Sequence, residues 1–539
     1  MKLFTHHQDS HKVNAVLTDR CAGCQECLVR CPTNAIGFNE DSWIVEINSE
    51  LCVGCGQCER LCPFSAIVIE KELSILESQL NRHYESSGSV FLSVRETKPS
   101  IKTFDAALFE ASRCLECPDP TCVKGCPAHN NIPLALKNLR SGDITGARTI
   151  FEETSHIGSI CSRVCDQKSQ CEGACSLALA GGGAVSIGAL EKFIFDNSRG
   201  EIAEMVGTSK KVAIIGSGPA ALGACYRLVE AGVTVEVFEE KEYLGGLLNY
   251  GIPDFTLPAE TLEKVIEELS SAGVYFHTNH HVSDEELEDL RSHFDSVIVA
   301  IGANIPIRPK VDGIESTETM DAMDFLVRYG QSIREATVDY ELYGKKLLIV
   351  GAGNTAMDVA RVAKRLGAAA VSVEWVNAKF AKVRPDELEE AVAEGVDVRF
   401  QTTLIATSGR VATLVNTTHE DPSKLPSIIE SSSYSEEFDL IVMALGYRKG
   451  GDIKVVEPIY TLGETPSPKW SASGILSKNH NRNQVIGSAS WMRERKTRAI
   501  AGIEDQSLFA VGDFLYGPAT VVEAMASGRN AADRIIATI

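Results

Sequence analysis

Two runs of four cysteines near the beginning of the chain constrain its fold more than any other feature. CAGCQECLVRCP occupies residues 21–32, and CVGCGQCERLCP occupies residues 52–63. Both runs separate their cysteines by two, two and three residues and end in proline, and an Ala-Ile pair follows each at the same distance. The sequence therefore contains two copies of one supersecondary unit. Zinc ions and disulfides are the alternatives, but four ligands crowded into each short run favour a pair of [4Fe-4S] clusters.

The spacing also predicts how the ligands are shared. In the bacterial ferredoxin pattern, the first three cysteines of one run bind one cluster and the fourth binds the other cluster. The two predicted ligand sets are Cys21, Cys24, Cys27 and Cys62, and Cys52, Cys55, Cys58 and Cys31. We expect a double-cluster ferredoxin domain over residues 1–78 and a polar linker over residues 79–102.

Length and charge limit what the remainder of the chain can be. At 539 residues the chain is too long for one hydrophobic core, so several domains are expected. Acidic residues outnumber basic ones by 73 to 52, which disfavours binding to nucleic acid or anionic lipid. No apolar stretch is long enough for a membrane span, and the first residues lack the apolar core of a signal peptide. We therefore expect a cytoplasmic protein whose seventeen cysteines serve metal binding rather than disulfides.

Eight further cysteines lie in a segment with helical periodicity, residues 103–204. Apolar residues recur there every three or four positions, as in FDAALFEAS, which predicts amphipathic helices. By number alone these cysteines suit two more clusters with four ligands each; they are Cys114, Cys117, Cys122, Cys126, Cys161, Cys165, Cys171 and Cys175. The remaining cysteine, Cys225, falls within a helical pattern and is interpreted as a buried core residue.

From residue 205 onward, short β-branched runs alternate with glycine turns and helical patterns, as in parallel βαβ units. In IIGSGPAALG, Gly216 permits a tight turn, Gly218 lets a pyrophosphate approach the backbone, and Ala221 allows the helix to pack on the strand. The phosphates of a nucleotide are favoured at the helix N-terminus. Glu239 ends the second strand, where an acid accepts hydrogen bonds from ribose hydroxyls.

The design is repeated in LLIVGAGNTAMDVAR, with Gly351, Gly353 and Ala356 in the corresponding positions. Two dinucleotide folds suggest two dinucleotides, and a flavin in the first fold could exchange hydride with a nicotinamide in the second. EEKEYLGGLLNYGIPDF, which follows the first fold's acid, contains no cysteine, so the flavin has no redox disulfide there. We therefore expect its electrons to leave through the cysteine-bound clusters.

The blocks CLECPDPTC, GSGPAALG, LGGLLNYGIPDF, GAGNTAMDVAR and AVGDFLYGPATVVEAMASGR, in this order, resemble the small subunit of glutamate synthase. They are equally similar to the matching half of dihydropyrimidine dehydrogenase and to the large subunit of the electron-bifurcating NADH-dependent ferredoxin:NADP oxidoreductase. The resemblance covers residues 103–539 and implies a multidomain α/β protein. Its expected parts are the ferredoxin-like domain, a helical two-cluster domain over 103–204, and two Rossmann-like domains of the FAD/NAD(P) disulfide-oxidoreductase type. FAD is assigned to residues 205–305 and 441–539, and NAD(P) to residues 306–440.

The resemblance also implies which residues contact each group. The candidate FAD residues are Gly216, Gly218, Ala221, Glu239, Gly245, Gly246, Leu247, Gly302, Gly512, Asp513, Thr520 and Val521. The candidate NAD(P) residues are Gly351, Gly353, Asn354, Thr355, Glu374, Lys379 and Arg384. Three histidines, His277, His280 and His281, follow an apolar strand and are interpreted as solvated loop residues.

A glutamate is implied as a cluster ligand. In dihydropyrimidine dehydrogenase the cysteine matching Cys161 is left out, and a glutamine sixteen residues after the last cysteine completes one cluster; in the bifurcating relatives a glutamate does so. The residue at that distance here is Glu191. The implied sets are Cys114, Cys117, Cys122 and Cys175, and Cys126, Cys165, Cys171 and Glu191. Ligation by Cys161, with Glu191 an ordinary helix residue, stays open as the alternative.

The choice of nicotinamide nucleotide is also left open. NADPH-using relatives carry Tyr-Arg-Arg at the end of the second strand of this fold, where the chain has Glu374, Trp375 and Val376. The acid favours the free 2′-hydroxyl of NADH. Lys379, Lys382 and Arg384 follow closely, however, and could fold back to bind the 2′-phosphate of NADPH.

The sequence as a whole predicts an NAD(P)H-dependent iron-sulfur flavoprotein subunit. It would move electrons between a nicotinamide, FAD and four [4Fe-4S] clusters to a partner protein. The expected partners are other oxidoreductase subunits with iron-sulfur or flavin centres, or a soluble ferredoxin. An electron-bifurcating transhydrogenase or a related multi-subunit oxidoreductase is the preferred setting, because the ferredoxin domain is an addition to the glutamate synthase pattern. The alternatives are the glutamate synthase small subunit and a non-catalytic subunit that only wires clusters together.

Overall fold

The computed structural model describes residues 14–18, 20–49, 51, 52, 57–64, 66–70, 96, 98, 100–200, 207–334, 341–448 and 507–538. The chain forms two compact units: residues 1–78 with 99–201, and residues 79–98 with 202–539. In the described part of the chain, no helix is both long and apolar enough to cross a membrane.

The first unit begins with two small antiparallel sheets that follow the duplication in the sequence. Strand β1 (Asn14–Leu17) pairs with β4 (Ile67–Glu70), and β2 (Ile36–Asn39) pairs with β3 (Ile44–Ile47). Two short helices, Glu26–Arg30 and Gln57–Leu61, carry the third cysteine of each run. These cysteines share a small core with alanine, valine and isoleucine side chains from the strands.

The rest of the first unit is helical, as its periodicity predicts. Its described helices are Phe104–Ser112, Thr121–Gly125, Ile132–Arg140, Ile144–Glu152, Gly158–Val164, Ser176–Leu179 and Ile187–Asn197. Side-chain caps begin two of them: Thr103 Oγ1 accepts from the Ala106 N–H, and Asp143 Oδ1 accepts from the Gly146 N–H. Most of these helices are short, so the cysteine-rich turns between them are brought together.

The second unit contains two parallel sheets. The first sheet takes four strands from the sequence before the second nucleotide fold and one strand from the sequence after it. Its strands are β5 (Lys211–Ile215), β6 (Thr234–Phe238), β7 (Tyr275–His277), β8 (Ser296–Val299) and β20 (Leu508–Ala510). They lie in the order β20, β8, β5, β6, β7, with every neighbour parallel. Its helices are Pro219–Glu230, Leu247–Tyr250, Ala259–Ser271, Asp284–His293, Asp513–Tyr516 and Val521–Ile536.

The first helix of this fold packs directly on the last, although 290 residues lie between the end of the first and the beginning of the last. A Cβ built on Gly528, in helix Val521–Ile536, would lie 1.8 Å from the Ala220 carbonyl oxygen in helix Pro219–Glu230. No larger residue fits at such a close approach of two backbones. The two ends of the fold are therefore joined by a contact that requires glycine.

The second sheet has the same parallel design. Its strands are β10 (Thr319–Asp321), β11 (Lys346–Val350), β12 (Ala369–Glu374), β13 (Asp397–Phe400) and β18 (Leu440–Met443), in the order β10, β18, β11, β12, β13. An antiparallel group follows β13: β14 (Thr402–Ser408), β15 (Val411–Thr418), β16 (Ser427–Ile428) and β17 (Tyr434–Glu437). The helices are Ala322–Arg334, Asn354–Arg365 and Pro385–Ala393, with short 3-10 turns at Ile314–Ser316, Ala378–Phe380 and Glu430–Ser432. Strand β18 runs across the boundary at residue 440 that the sequence suggests.

Contacts between the two nucleotide folds include a pair of short strands and a buried aromatic ring. Where the chain enters and leaves the second fold, β9 (Ile305–Pro306) pairs with β19 (Tyr447–Arg448). Phe255 belongs to a loop of the first fold, yet it is fully buried in the hydrophobic core of the second. The guanidinium groups of Arg361 and Arg365 lie 4.2 and 4.1 Å from the centre of its ring. An aromatic ring thus holds one fold against the other through packing and cation-π contacts.

Candidate functional site

The two halves of the double-cluster module form the same contact around their fourth cysteines. The Ala35 N–H donates to Cys31 Sγ at 3.2 Å, and the Ala66 N–H donates to Cys62 Sγ at the same distance. Hydrogen bonds from backbone N–H groups to cysteine sulfur are among the contacts that tune iron-sulfur clusters. Cys55 lies outside the described residues. The alanine that recurs in both halves of the sequence therefore makes the same backbone hydrogen bond to a cysteine sulfur in each half.

In the helical module, four of the predicted ligands are neighbours of one another. Burial, followed by the nearby Cys175, Cys114 and Cys117, raises the pKa of the Cys122 thiol to about 12. Ser176 Oγ also lies 3.3 Å from Cys117 Sγ. Thiols that disfavour one another's charge are close enough to share one cationic centre. The structure brings together the four cysteines that the family resemblance implies for one cluster.

The second set surrounds a carboxyl group. Burial, followed by the nearby Glu191 and Cys161, raises the pKa of Cys126 to about 11. Burial also raises the pKa of Cys171, with Cys126 and Glu191 among the contributing neighbours. Cys161 shares a hydrogen bond with Cys165. Glu191 and Cys161 therefore both lie near Cys126 and Cys165.

Glu191 is the residue of this group that most needs an explanation. Helix Ile187–Asn197 places it with only 5% of its surface exposed, and its Oε1 has no hydrogen-bond partner in the described structure. Burial raises its pKa well above the ordinary value, and Cys161 adds to the rise. A buried polar group left without a partner costs about 1–3 kcal/mol. Coordination of iron would satisfy this oxygen, so the residues present fit a [4Fe-4S] cluster.

In the described part of the chain, no three His, Cys, Asp or Glu side chains are arranged to hold a single metal ion. Each ligand of a [4Fe-4S] cube binds a different iron, so such ligands do not converge on one point.

The first nucleotide fold encloses a cavity of about 460 Å³. Of the predicted FAD residues, its wall includes Gly216, Gly218, Glu239, Gly246, Leu247, Gly302, Gly512, Asp513, Thr520 and Val521. Ala221 is instead fully buried in helix Pro219–Glu230. Gly245 lies behind the wall, and a Cβ there would come within 2.5 Å of Leu262.

The glycine turn of this cavity leaves the room that a pyrophosphate needs. Gly216 has φ +94°, and a Cβ on it would lie 2.7 Å from the Ala300 carbonyl oxygen. A Cβ built on Gly218 would meet no atom within 4 Å, so its backbone borders open space at the helix N-terminus. These observations fit a bound dinucleotide phosphate.

Glu239 is held in position by residues that the sequence does not single out. Its Oε2 accepts from the Ser217 N–H at 3.0 Å, and its Oε1 accepts from the Lys241 N–H at 3.0 Å. The Ser217 hydroxyl also donates to Glu239 and accepts from the Gly245 N–H at 2.9 Å. Ser217 therefore links the acid, the glycine turn and the loop around Gly246.

The interpretation of the three histidines as solvated loop residues is wrong for His277, whereas His280 and the exposed His281 do lie in the loop after β7. His277 belongs to β7 and stacks on Phe238, with ring centres 4.8 Å apart. His280 and His281 line the cavity beside Glu239. His280 Nε2 lies 2.6 Å from Glu286 Oε1. Because the helix that supplies Glu286 begins only after the histidines, no local pattern reveals this arrangement.

The second nucleotide fold repeats the geometry of the first. A Cβ on Gly351 would lie 2.4 Å from the Ala444 carbonyl oxygen, while one on Gly353 would meet no atom within 4 Å. The Ala352 N–H donates to Glu374 Oε2 at 3.0 Å, as the Ser217 N–H does to Glu239. Asn354 and Thr355 form the first turn of helix Asn354–Arg365. The residues present fit a second dinucleotide.

The basic candidates of this fold occupy different environments. Lys379 is half exposed, and its Nζ lies 3.4 Å from Glu420 Oε2. Arg384 is 5% exposed and ion-paired with Glu387. In the first fold, Cys225 is fully buried within helix Pro219–Glu230, and burial raises its pKa.

Comparison with family models identifies three regions. Residues 20–66 match the 4Fe-4S dicluster domain, residues 93–202 match dihydropyrimidine dehydrogenase domain II, 4Fe-4S cluster, and residues 210–528 match pyridine nucleotide-disulphide oxidoreductase. The third match covers more than half of the chain.

Curated relatives match most of the chain. The putative oxidoreductase UacF of Escherichia coli is 28% identical over 95% of this chain and 80% of its own length. The glutamate synthase [NADPH] small chain of Escherichia coli is 30% identical over 79% of this chain and 90% of its own length. The NAD-dependent dihydropyrimidine dehydrogenase subunit PreT of Escherichia coli is 28% identical, covering 80% and 93%. The chain therefore belongs to the pyridine nucleotide-disulphide oxidoreductase family, as an iron-sulfur flavoprotein of the branch that includes the glutamate synthase small chain.

Proposed function

We propose that the chain is an NAD(P)H-dependent flavoprotein subunit that passes electrons between a nicotinamide nucleotide, FAD and four [4Fe-4S] clusters to a partner protein. The observation that carries this proposal is the buried carboxyl group of Glu191, whose unpartnered oxygen lies among the cysteines of the helical module. It supports a resident cluster in the same chain as the FAD cavity.

Each part of the chain has a defined task in this proposal. When bound, FAD exchanges a hydride with the nicotinamide and single electrons with the clusters. Gly218 leaves space for its pyrophosphate, and Glu239 accepts hydrogen bonds from its ribose hydroxyls. The segment after Glu239 contains no cysteine and Cys225 is buried, so the chain offers the flavin no redox disulfide there. Sixteen ligands in four sets provide the route by which electrons leave.

We further propose that the subunit works in an electron-bifurcating transhydrogenase or a related multi-subunit oxidoreductase. The double-cluster module at residues 20–66 supports this setting, because it adds two cysteine sets to those of the helical module. The partner would be an oxidoreductase subunit with iron-sulfur or flavin centres, or a soluble ferredoxin.

A second candidate is the small subunit of glutamate synthase. The 30–31% identity to glutamate synthase small chains over 79–81% of this chain favours it. Purification of the native complex separates the two candidates: a large glutamate-forming subunit would copurify in one case, and other redox subunits in the other.

The proposal is tested by adding NADH or NADPH to anaerobically prepared protein. We expect about sixteen irons per chain, bleaching of the flavin absorbance, and electron paramagnetic resonance signals from reduced clusters. A subunit that only wires clusters together would bind iron but show no flavin bleaching with either nucleotide. Zinc in place of iron, or only eight irons after full reconstitution, would contradict the four-cluster route.

A further inference from the structure

We infer that the second nucleotide fold selects NAD(H) over NADP(H), through the position of Glu374 and the confinement of Arg384. This inference rests on the proposed function, because it concerns the nucleotide that the flavoprotein would oxidise or reduce. It follows from three observations: where the acid is held, what binds the arginine, and where the neighbouring lysines lie.

Glu374 is fixed at the edge of the nucleotide site. It ends β12, and its Oε2 accepts from the Ala352 N–H at 3.0 Å, directly after the first glycine of the turn. The Val376 N–H lies 3.4 Å from its Oε1. In a dinucleotide fold, an acid at this strand end accepts hydrogen bonds from the adenosine ribose. A carboxylate held here attracts a 2′-hydroxyl and repels a 2′-phosphate.

Arg384, the basic residue best suited to bind a phosphate in two contacts, is engaged elsewhere. Its guanidinium group is buried and paired with Glu387, and its backbone N–H donates to Asn354 Oδ1 at 2.8 Å. Glu387 is only 2% exposed and also binds Lys98 Nζ at 2.9 Å and Arg361 Nη1 at 3.0 Å. The pKa of Glu387 is lowered although its burial acts to raise it, because Lys98, Arg384 and Arg361 outweigh the burial.

The surrounding network balances its charges. Its four paired carboxylates belong to Asp386, Glu387, Glu390 and Glu394, and its four cations to Lys98, Arg361, Arg365 and Arg384. Burial and the neighbouring Glu387 raise the pKa of Asp358, which lies beside them, and this favours its neutral form. If Arg384 turned outward to a phosphate, one buried carboxylate would lose its balancing charge. The ion pairs of this network therefore keep Arg384 from binding the phosphate of a nucleotide.

The two lysines do not replace the arginine. The beginning of the loop after β12 is fixed by Asn377, whose side chain donates to Gln401 Oε1 at 3.2 Å and accepts from the Lys379 N–H at 3.2 Å. Lys379 lies beside Glu420, which offsets its charge, and Lys382 is exposed to solvent. Exposed, mobile charges give little attraction once salt screens them. Glu374 therefore remains the dominant charge at the ribose.

The test compares both nucleotides on the anaerobically purified protein, by rapid-mixing measurement of flavin reduction and by steady-state turnover with ferricyanide. We expect kcat/KM for NADH to exceed that for NADPH by about tenfold or more, mainly through KM. Glu374→Gln should lower the KM for NADPH and raise that for NADH, with kcat little changed. Glu389→Gln, which removes an exposed acid from helix Pro385–Ala393, is the matched control and should leave the ratio unchanged.

Lys379→Met separates the alternatives further. If Lys379 bound the 2′-phosphate, this variant would weaken NADPH alone, whereas we expect an unchanged ratio. A preference of the unmodified protein for NADPH, or a ratio insensitive to Glu374→Gln, would overturn the inference while leaving the proposed function intact. If neither nucleotide reduced the flavin, the proposed function itself would be wrong.

Discussion

Replacement of Glu191 gives opposite results in its two possible roles. If Glu191 is an ordinary buried residue, its unpartnered carboxyl group destabilises the fold, and Glu191→Leu should stabilise the protein by about 1–3 kcal/mol with all iron retained. If Glu191 is a cluster ligand, the same substitution should remove about four of sixteen irons and lower the stability of the helical module. We expect the second result.

Two further variants sharpen this prediction. Cys161→Ser should retain the full iron content, because the assignment gives the fourth ligand position to Glu191 and leaves Cys161 as a neighbour of the set. Glu191→Gln keeps an oxygen donor but removes a negative charge, so the cluster should persist with a higher reduction potential. Iron analysis, redox titration followed by electron paramagnetic resonance, and thermal unfolding measure these effects. Loss of about four irons in Cys161→Ser, with a full complement in Glu191→Leu, would refute the assignment.

Three other predictions concern the second unit. Gly216→Val should abolish flavin retention, because its side chain would meet the Ala300 carbonyl oxygen and the backbone has φ +94°; the flavin-to-protein ratio measures this. Phe255→Ala should destabilise the second nucleotide fold by about 3–5 kcal/mol, seen as faster limited proteolysis and a lower melting temperature, whereas an unchanged melting temperature would argue against its role in the core. Lys98→Met should destabilise the protein at neutral pH by removing a partner of Glu387. Since the pKa of Glu387 is lowered in the folded state, this stabilisation is present above its ordinary pKa of 4.5, and the deficit of the variant should shrink as the pH falls below that value in denaturation curves.

Local patterns predicted the parts of the site that depend on backbone geometry. Gly216 and Gly218 follow a β-branched strand, and Glu239 ends the next one, so the turn, the helix and the acid could be placed before the structure was known. Spacing likewise predicted the sets of the two N-terminal cysteine runs, because cluster ligation demands fixed intervals, whereas the sets of the helical module came from the family resemblance. In each case a physical requirement acts on residues that are close in sequence.

Contacts between distant elements could not be predicted in this way. Lys98 reaches Glu387 across 289 positions, and Phe255 leaves its own fold to complete the core of the next. Neither residue belongs to a periodic pattern or a motif from which its partner could be predicted. His280 and His281 resemble polar loop residues in sequence, and only the assembled sheet brings them to the cavity wall.

The construction of the FAD cavity has a consequence for biosynthesis. One part of its wall comes from residues 215–305, and the rest comes from residues 511–524, which are translated after the entire second nucleotide fold. Helix Pro219–Glu230 also lacks its packing partner until helix Val521–Ile536 has been translated, because its backbone packs against Gly528 of that helix. A nascent chain that still lacks these residues has an incomplete cavity wall, and the face of helix Pro219–Glu230 that contacts Gly528 is uncovered. The complete cavity can therefore exist only after the second fold has been translated, and chains interrupted within the second fold lack the part of the wall that residues 511–524 supply.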